Sequence, residues 1–428
     1  MSETGDNNPD SARPLRGPSD AESGWPVAIA ATLGMSVSYI DRQTLAAISP
    51  HVREALQIDH RQYGWLVSAF SMAYLAFAPL AGVLVDRLGA RRGFAIAVAV
   101  WTSIAGLHAF AVSFATLFTM RLALGVSESP SFPAAAQAIR RALPGASRAT
   151  AYGLLFTGSS IGGMIVAPVA VALDTRFGFR FAFLATAAAG TMWIPFWLFA
   201  TRGGRLAATP LAAPATTTPA PRVSWRETVT SAPVLRTLVA VVGSAPALMF
   251  LLNFTPQYLV ERWEIPRSAV GGYIVFPLLV FDLGAVGFGF LASRREAGPR
   301  RTHLDLMVLA ATLEALLALA TLAPSPVVAM ILFSLSAAGG GGVYVLATAD
   351  MLGRVPVERT SSSGGMCAAA QSLAYVVASP IVGWAIDRTH GYGGVLVTLG
   401  LFVIPTSFAF VLWPSIRASE IRPNASAS

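Results

Sequence analysis

The sequence predicts an all-α membrane protein with twelve transmembrane helices in two pseudo-symmetric six-helix bundles. Three observations predict it. The 428 residues are 54% hydrophobic and only 12% charged, against roughly a quarter charged in a soluble domain, and mean hydropathy is +0.60. Apolar stretches recur from end to end, each near the twenty or so residues that a bilayer crossing needs. A low-complexity run at mid-chain divides those stretches into two equal sets.

The apolar spans fall at 25–48, 62–85, 94–112, 115–139, 149–173, 179–200, 236–260, 269–292, 304–322, 326–350, 361–386 and 392–414. Residues 1–24 are polar and rich in Pro, Ser, Asp and Asn with no apolar h-region, so they read as a disordered cytoplasmic tail and not a signal peptide. The first bundle is then 25–200 and the second 236–414, joined by a cytoplasmic linker at 201–235 whose core is Ala213-Pro-Ala-Thr-Thr-Thr-Pro-Ala-Pro221, with a short tail at 415–428. The halves echo each other. Gly82-x-x-x-Asp86-Arg87 closes the second span and Gly289-x-x-x-Ser293-Arg294 the eighth. Pro168, Asp174 and Gly178 end the fifth, and Pro380, Asp387 and Gly391 the eleventh. Duplication at half the chain length fits a carrier built of two repeats with its site between them near the midplane.

All 30 basic residues are arginine, and the net charge is +8. In a soluble protein that balance would point to nucleic acid. Here the arginines gather in loops, 21 in one set of alternate loops and tails against 7 in the other, with Arg42 and Arg121 inside spans. The positive-inside rule then places both termini in the cytoplasm of a bacterial inner membrane, with lipid and not nucleic acid as the surrounding partner. A single cysteine, Cys367, excludes an internal disulfide and a cysteine metal cluster, and five scattered histidines give no ligand spacing. No nucleophile–base set stands out, so no enzyme, metal or bound cofactor is expected.

In the first half, four formal charges lie well inside apolar spans: Asp41 and Arg42 in the first, Arg121 and Glu128 in the fourth. Each costs about 2.5–3.5 kcal/mol at bilayer depth on insertion scales, so such groups pair, line a cavity or do work. Asp41 is sixteen residues beyond Trp25, about 24 Å along a helix, in the outer half. Burial favours its neutral form and a nearby Arg its anion, a balance that conformational change can tip. Seven residues return to nearly the same helix face, so Arg121 and Glu128 project together about 10 Å apart. Pro130 and Pro133 are expected to loosen the helix just below Glu128. The second half offers only Asp282 and Glu314 as mid-span acids, with Asn253, Gln257, Gln371, Ser372 and Tyr375 as neutral hydrogen-bonding groups. The glycine runs 158–163 and 339–342 read as places where helices approach and slide.

The run Gly82-Val-Leu-Val-Asp86-Arg87-Leu-Gly89-Ala-Arg91-Arg92 resembles the signature loop of the major facilitator superfamily. Gly82 permits close helix approach, Asp86 accepts hydrogen bonds from a neighbouring helix end or an Arg, Gly89 allows the tight turn, and Arg87, Arg91 and Arg92 hold the cytoplasmic side. The whole reads as a conformational latch. Tyr39-Ile-Asp41-Arg42-Gln-Thr-Leu45, Ala73-Tyr74, Pro79-x-x-Gly82, Arg121 to Pro133 and Gly158-Ser-Ser-Ile-Gly162 are similar to the anion:cation symporter branch of that superfamily, its hexuronate and sugar-acid transporters above all. The resemblance implies proton-coupled symport of a small organic anion by alternating access, with the proton as coupling ion and no cofactor. By position it implies Asp41 and Glu128 as proton-titrating acids, Arg42, Tyr39 and Tyr74 at the substrate, Arg121 as partner of the acids, and a monomer. Asn253 and Gln371 are further candidates for substrate contact. Ala78, Ala369 and Leu373 stand where that pattern has polar residues. Each unmet buried polar group costs about 1–3 kcal/mol, so their loss favours a less hydroxylated anion. The other reading from within the superfamily is an exporter of amphipathic lipids or drugs, similar to spinster-type carriers, which also hold an acid–base pair in the first helix.

Overall fold

The computed structural model describes residues 24–202, 206, 230–295, 304–355 and 360–413. Both predicted tails, except Gly24, and most of the predicted linker lie outside the described residues. The first lobe contains α1 (Trp25–Ala47), a short α2 (Ser49–Leu56), α3 (His60–Leu88), α4 (Ala90–Leu107), α5 (Phe114–Glu128), α6 (Ser131–Ala142), α7 (Gly145–Phe177) and α8 (Phe179–Ala200). The second contains α9 (Ala232–Asn253), a short α10 (Thr255–Trp263), α11 (Arg267–Ser293), α12 (Leu304–Ala315) continued by a 3₁₀ segment, α13 (Pro326–Leu352), α14 (Thr360–Thr389) and α15 (Gly393–Leu412).

Among the described residues, ten helices are long and apolar enough to cross a membrane. The first and fourth predicted spans are helical but are not among the ten. α1 has the length, at 23 residues, so its polar composition sets it apart. The fourth span is broken into α5 and α6, as the two prolines predict. Pro130 cannot donate to the Val126 carbonyl, and the Ser129 hydroxyl takes that carbonyl instead at 2.7 Å. The seventh predicted span stops early, at Asn253. Pro256 then opens the separate helix α10.

Small residues set the helix spacing in the first lobe. A Cβ on Gly162 of α7 would lie 2.2 Å from the Ser36 carbonyl oxygen of α1, and one on Gly158 2.4 Å from that of Thr32. Ser36 Oγ donates to the Gly158 carbonyl at 2.7 Å across this contact. The 158–163 glycines thus act as the sequence predicts, in packing.

The core shows how the lobes meet. One buried cluster joins them at the end bearing α2 and α10, with Leu45, Tyr63, Val166 and Phe183 from the first lobe and Phe250, Phe254, Tyr258, Val382 and Tyr392 from the second. Toward the other end the cores are separate. One cluster belongs to the first lobe, around Phe94, Trp101 and Trp197, and two to the second. Mid-depth hydrogen bonds cross between lobes on opposite sides: Ser68 Oγ to the Val376 carbonyl at 2.8 Å, and Ser160 Oγ to Asp282 Oδ1 at 2.9 Å. The molecule is therefore sealed at the α2/α10 end and divided at the other.

Replacing Gly162 by Val should force α7 off α1 and lower stability by about 1–3 kcal/mol, read as a lower thermal unfolding midpoint in detergent. Gly82→Ala, where a Cβ meets nothing within 4 Å, should stay within about 0.5 kcal/mol of the parent.

Candidate functional site

Asp41 and Arg42 are helix neighbours, so their side chains diverge by about 100° and cannot pair with each other. Arg42 instead reaches α5. Its Nε and Nη2 donate to Glu128 Oε1 at 3.1 and 2.6 Å, and Ser38 Oγ donates to the same oxygen at 2.5 Å. Glu128 is 0% exposed, and its Oε2 has no hydrogen-bond partner among the described residues. The Arg42 side chain keeps 21% of its surface exposed. Its guanidinium lies 4.7 Å from the Tyr39 ring centre, 4.6 Å from that of Phe70 and 5.2 Å from that of Tyr74. The result is a cation framed by three aromatic rings.

Asp41 is buried, and neither carboxylate oxygen accepts a hydrogen bond among the described residues. It lies on the buried side of α1, within electrostatic reach of Glu128. The side chain is therefore not a snorkelling helix-end group. Arg121 is also buried. The resemblance makes it a partner of the acids, but here it donates to backbone, from Nε to the Leu66 carbonyl and from Nη1 to that of Arg42, both at 3.4 Å. Its guanidinium lies 4.9 Å from the Phe70 ring centre. Phe70 thus packs against both cations. Gly125 allows this arrangement, since a Cβ there would come within 2.4 Å of the Phe70 carbonyl oxygen and drive α5 from α3.

The second lobe contributes less than expected. Asn253 donates its amide N–H to the Met249 carbonyl of its own helix at 2.9 Å, and its backbone carbonyl accepts from Tyr63. The structure puts it at the sealed seam, with its amide already engaged. Gln371 is half-buried on α14, one turn from Tyr375, and the Tyr375 ring lies within electrostatic reach of Arg42 and Tyr39. In the latch loop, Asp86 Oδ1 accepts from Gln137 Nε2 of α6 at 2.6 Å. Gly89 has φ +75° and ends α3, the tight turn predicted for it. Arg91 donates to Thr201 Oγ1 at 3.1 Å and to the Leu198 carbonyl, while Arg87 and Arg92 are exposed. Gly82 makes no close helix contact, contrary to its predicted packing role, because open space surrounds it.

The sequence model of the Major Facilitator Superfamily matches residues 31–366. The chain belongs to the Major Facilitator Superfamily. It is a transporter, not an enzyme. It is 25% identical over 398 residues to the hexuronate transporter of Bacillus subtilis, covering 90% of this chain and 93% of that one. To the hexuronate transporter of Escherichia coli K12 it is 34% identical over 174 residues, 41% of this chain and 40% of that one. Among solved structures, a bacterial homologue of the human lysosomal transporter Spinster, inward-facing and occupied, matches with a TM-score of 0.74 at 17% identity, covering 90% and 96% of the two chains. At that identity the likeness speaks for the major facilitator fold alone.

Sequence reasoning passed over Ser38 as a Glu128 ligand and Phe70 as the ring shared by the two cations. Ser38 is one turn before Arg42, and Phe70 one turn before Tyr74, so helical spacing from the chosen residues was the available signal.

Arg42→Ala should leave Glu128 buried with one hydroxyl donor and destabilise the protein by about 3–5 kcal/mol. Adding Glu128→Gln should recover part of that loss, as read by thermal unfolding of the purified single and double variants.

Proposed function

We propose that this transporter is a proton symporter for a small organic carboxylate, a sugar acid or a less hydroxylated anion, carried across the bacterial inner membrane by alternating access. The observation that carries the reading is the Arg42–Glu128 pair, an ion pair with one exposed cationic edge beside Asp41, a buried acid that accepts no hydrogen bond among the described residues. A substrate carboxylate that takes Arg42 must compete with Glu128. Once released, Glu128 would be a buried carboxylate without its cation, and binding a proton removes that penalty. Anion and proton then enter the site together. Asp41, buried within electrostatic reach of Glu128, is the second group suited to carry a proton. Tyr39 and Tyr74 flank the cation and present hydroxyls to a substrate, and Tyr375 faces them from the second lobe with Gln371 one turn away on its helix. Arg121 holds the α1 and α3 carbonyls beside the site and is placed to meet an acid when those helices shift.

The full-length likeness to a transporter named for hexuronate supports an acidic substrate. The arginine distribution supports an external position for the sealed end and cytoplasmic termini. On this reading the arrangement is inward-facing, and among the described residues no hydrogen bond or ion pair joins the Gly82–Arg92 loop to the second lobe. Its closure against that lobe belongs to the outward-facing state, where Gly82 would have a neighbour. The site is complete within one chain, so a monomer suffices, and protons are the coupling ion.

In proteoliposomes with an imposed proton gradient, Asp41→Asn or Glu128→Gln should abolish accumulation of labelled hexuronate or a short monocarboxylate while leaving counterflow exchange. Unchanged accumulation in both variants would refute the proton assignment. Arg42→Ala should abolish accumulation and exchange alike.

A further inference from the structure

A second ionisable cluster lies at the sealed end, outside the site just described. His60 opens α3. Its Nδ1 lies 2.7 Å from Asp387 Oδ1 at the end of α14, and its Nε2 lies 2.9 Å from Glu261 Oε2 on α10. Both carboxylates belong to the opposite lobe. The backbone N–H groups of His60 and Arg61 also donate to Asp387, at 3.2 and 2.8 Å. Tyr392, just before α15, donates its hydroxyl to Glu261 Oε2 at 2.8 Å. Arg53 of α2 donates to Glu261 Oε1 at 2.7 Å and lies 2.8 and 3.0 Å from the two ring nitrogens of His60. Gln257 accepts from Arg53 at 3.3 Å. Asp59, Arg262 and His390 complete the charged rim of an adjoining cleft of about 510 Å³.

We infer that His60 is a proton-binding site whose occupancy clamps the two lobes together at this end, independently of Asp41 and Glu128. The argument is one of donor count. A neutral imidazole has one N–H, whereas an imidazolium has two. Ionised Asp387 and Glu261 only accept, so only the imidazolium donates to both lobe-two carboxylates at once. With that proton bound, His60 and Arg53 face Glu261 and Asp387 with balanced charge. When it leaves, one ring nitrogen becomes an acceptor and turns to the Arg53 guanidinium of its own lobe, and one carboxylate contact between lobes becomes repulsive. Burial alone would raise the Glu261 carboxyl, but His60, Tyr392 and Arg53 outweigh it and hold it down at about 2. Glu261 therefore stays ionised through the range in which an imidazole titrates, around pH 6.5. Burial and the neighbouring Glu261 push the Tyr392 hydroxyl up, so it remains a donor throughout. The clamp holds while the imidazolium keeps both N–H groups and weakens as rising pH removes one.

The test is a distance measurement, not transport. Spin labels at Ala55→Cys and Arg388→Cys, both exposed positions, in a Cys367→Ala background report the gap between lobes by electron double resonance. One short distance is expected at about pH 5, and a longer population should grow by about pH 8. His60→Gln should give the same distribution at both pH values, and Glu261→Gln should weaken the dependence. The shift should persist with Asp41→Asn and Glu128→Gln together, whether or not those acids couple transport. A parent without a shift, either cluster variant with an unchanged one, or its loss in the Asp41/Glu128 background would overturn the assignment.

Discussion

A carboxylate with no access to water at membrane depth needs a cation held against it, and Arg42 supplies one to Glu128 from a different helix. Much of the first lobe follows from that requirement. α1 and α5 must be positioned so that the guanidinium reaches, and the glycine contacts of α7 on α1 and of α5 on α3 fix their places. Ser38 gives Glu128 a further donor from the same face of α1. The rings of Tyr39, Phe70 and Tyr74 hold the guanidinium without neutralising it, which leaves its remaining edge available for chemistry. A buried pair contributes little net stability compared with an apolar replacement, so its presence in this lobe is best understood through what it can exchange.

The lobes differ in kind. The first holds its buried ion pair beside Asp41 and the aromatic rings, whereas the buried pair of the second, Arg236 with Asp350, lies toward the divided end. Glu314 is buried with neither oxygen hydrogen-bonded among the described residues, but it lies inside the second lobe, close to Gly340 of α13. Asp282 instead reaches the lobe boundary through Ser160. With Ser68 and Val376 on the opposite side, that contact marks the depth at which a joined core gives way to separate ones.

Much of this was legible in the residues. Composition and span length gave the fold class, because lipid tolerates few other arrangements of a backbone. The break at Pro130 could be read from missing N–H groups, and the turn at Gly89 from its chemistry. The pairing could not. Adjacent acid and base in the first span look like partners in one dimension, but helical geometry sends them to different neighbours, and the true partner of Arg42 is 86 positions away in sequence. Asn253 was chosen for its polarity, although an amide at a helix end is readily taken up by its own backbone. Gly82 illustrates a further limit: a loop that works in two arrangements displays only one of its contacts at a time.

The joined core at the sealed end has a consequence of its own. Separating the lobes there would wet the rings of Phe250, Phe254 and Tyr258, which are now almost wholly dry, at about 25 cal/mol for each Å² of apolar surface uncovered. The hydrophobic effect is therefore a spring that favours this shape, and any opposite shape must gain comparable dry contact elsewhere. Trimming one of those rings would soften the spring as well as loosen the packing, so side chains far from any charge help to set how often the molecule turns over.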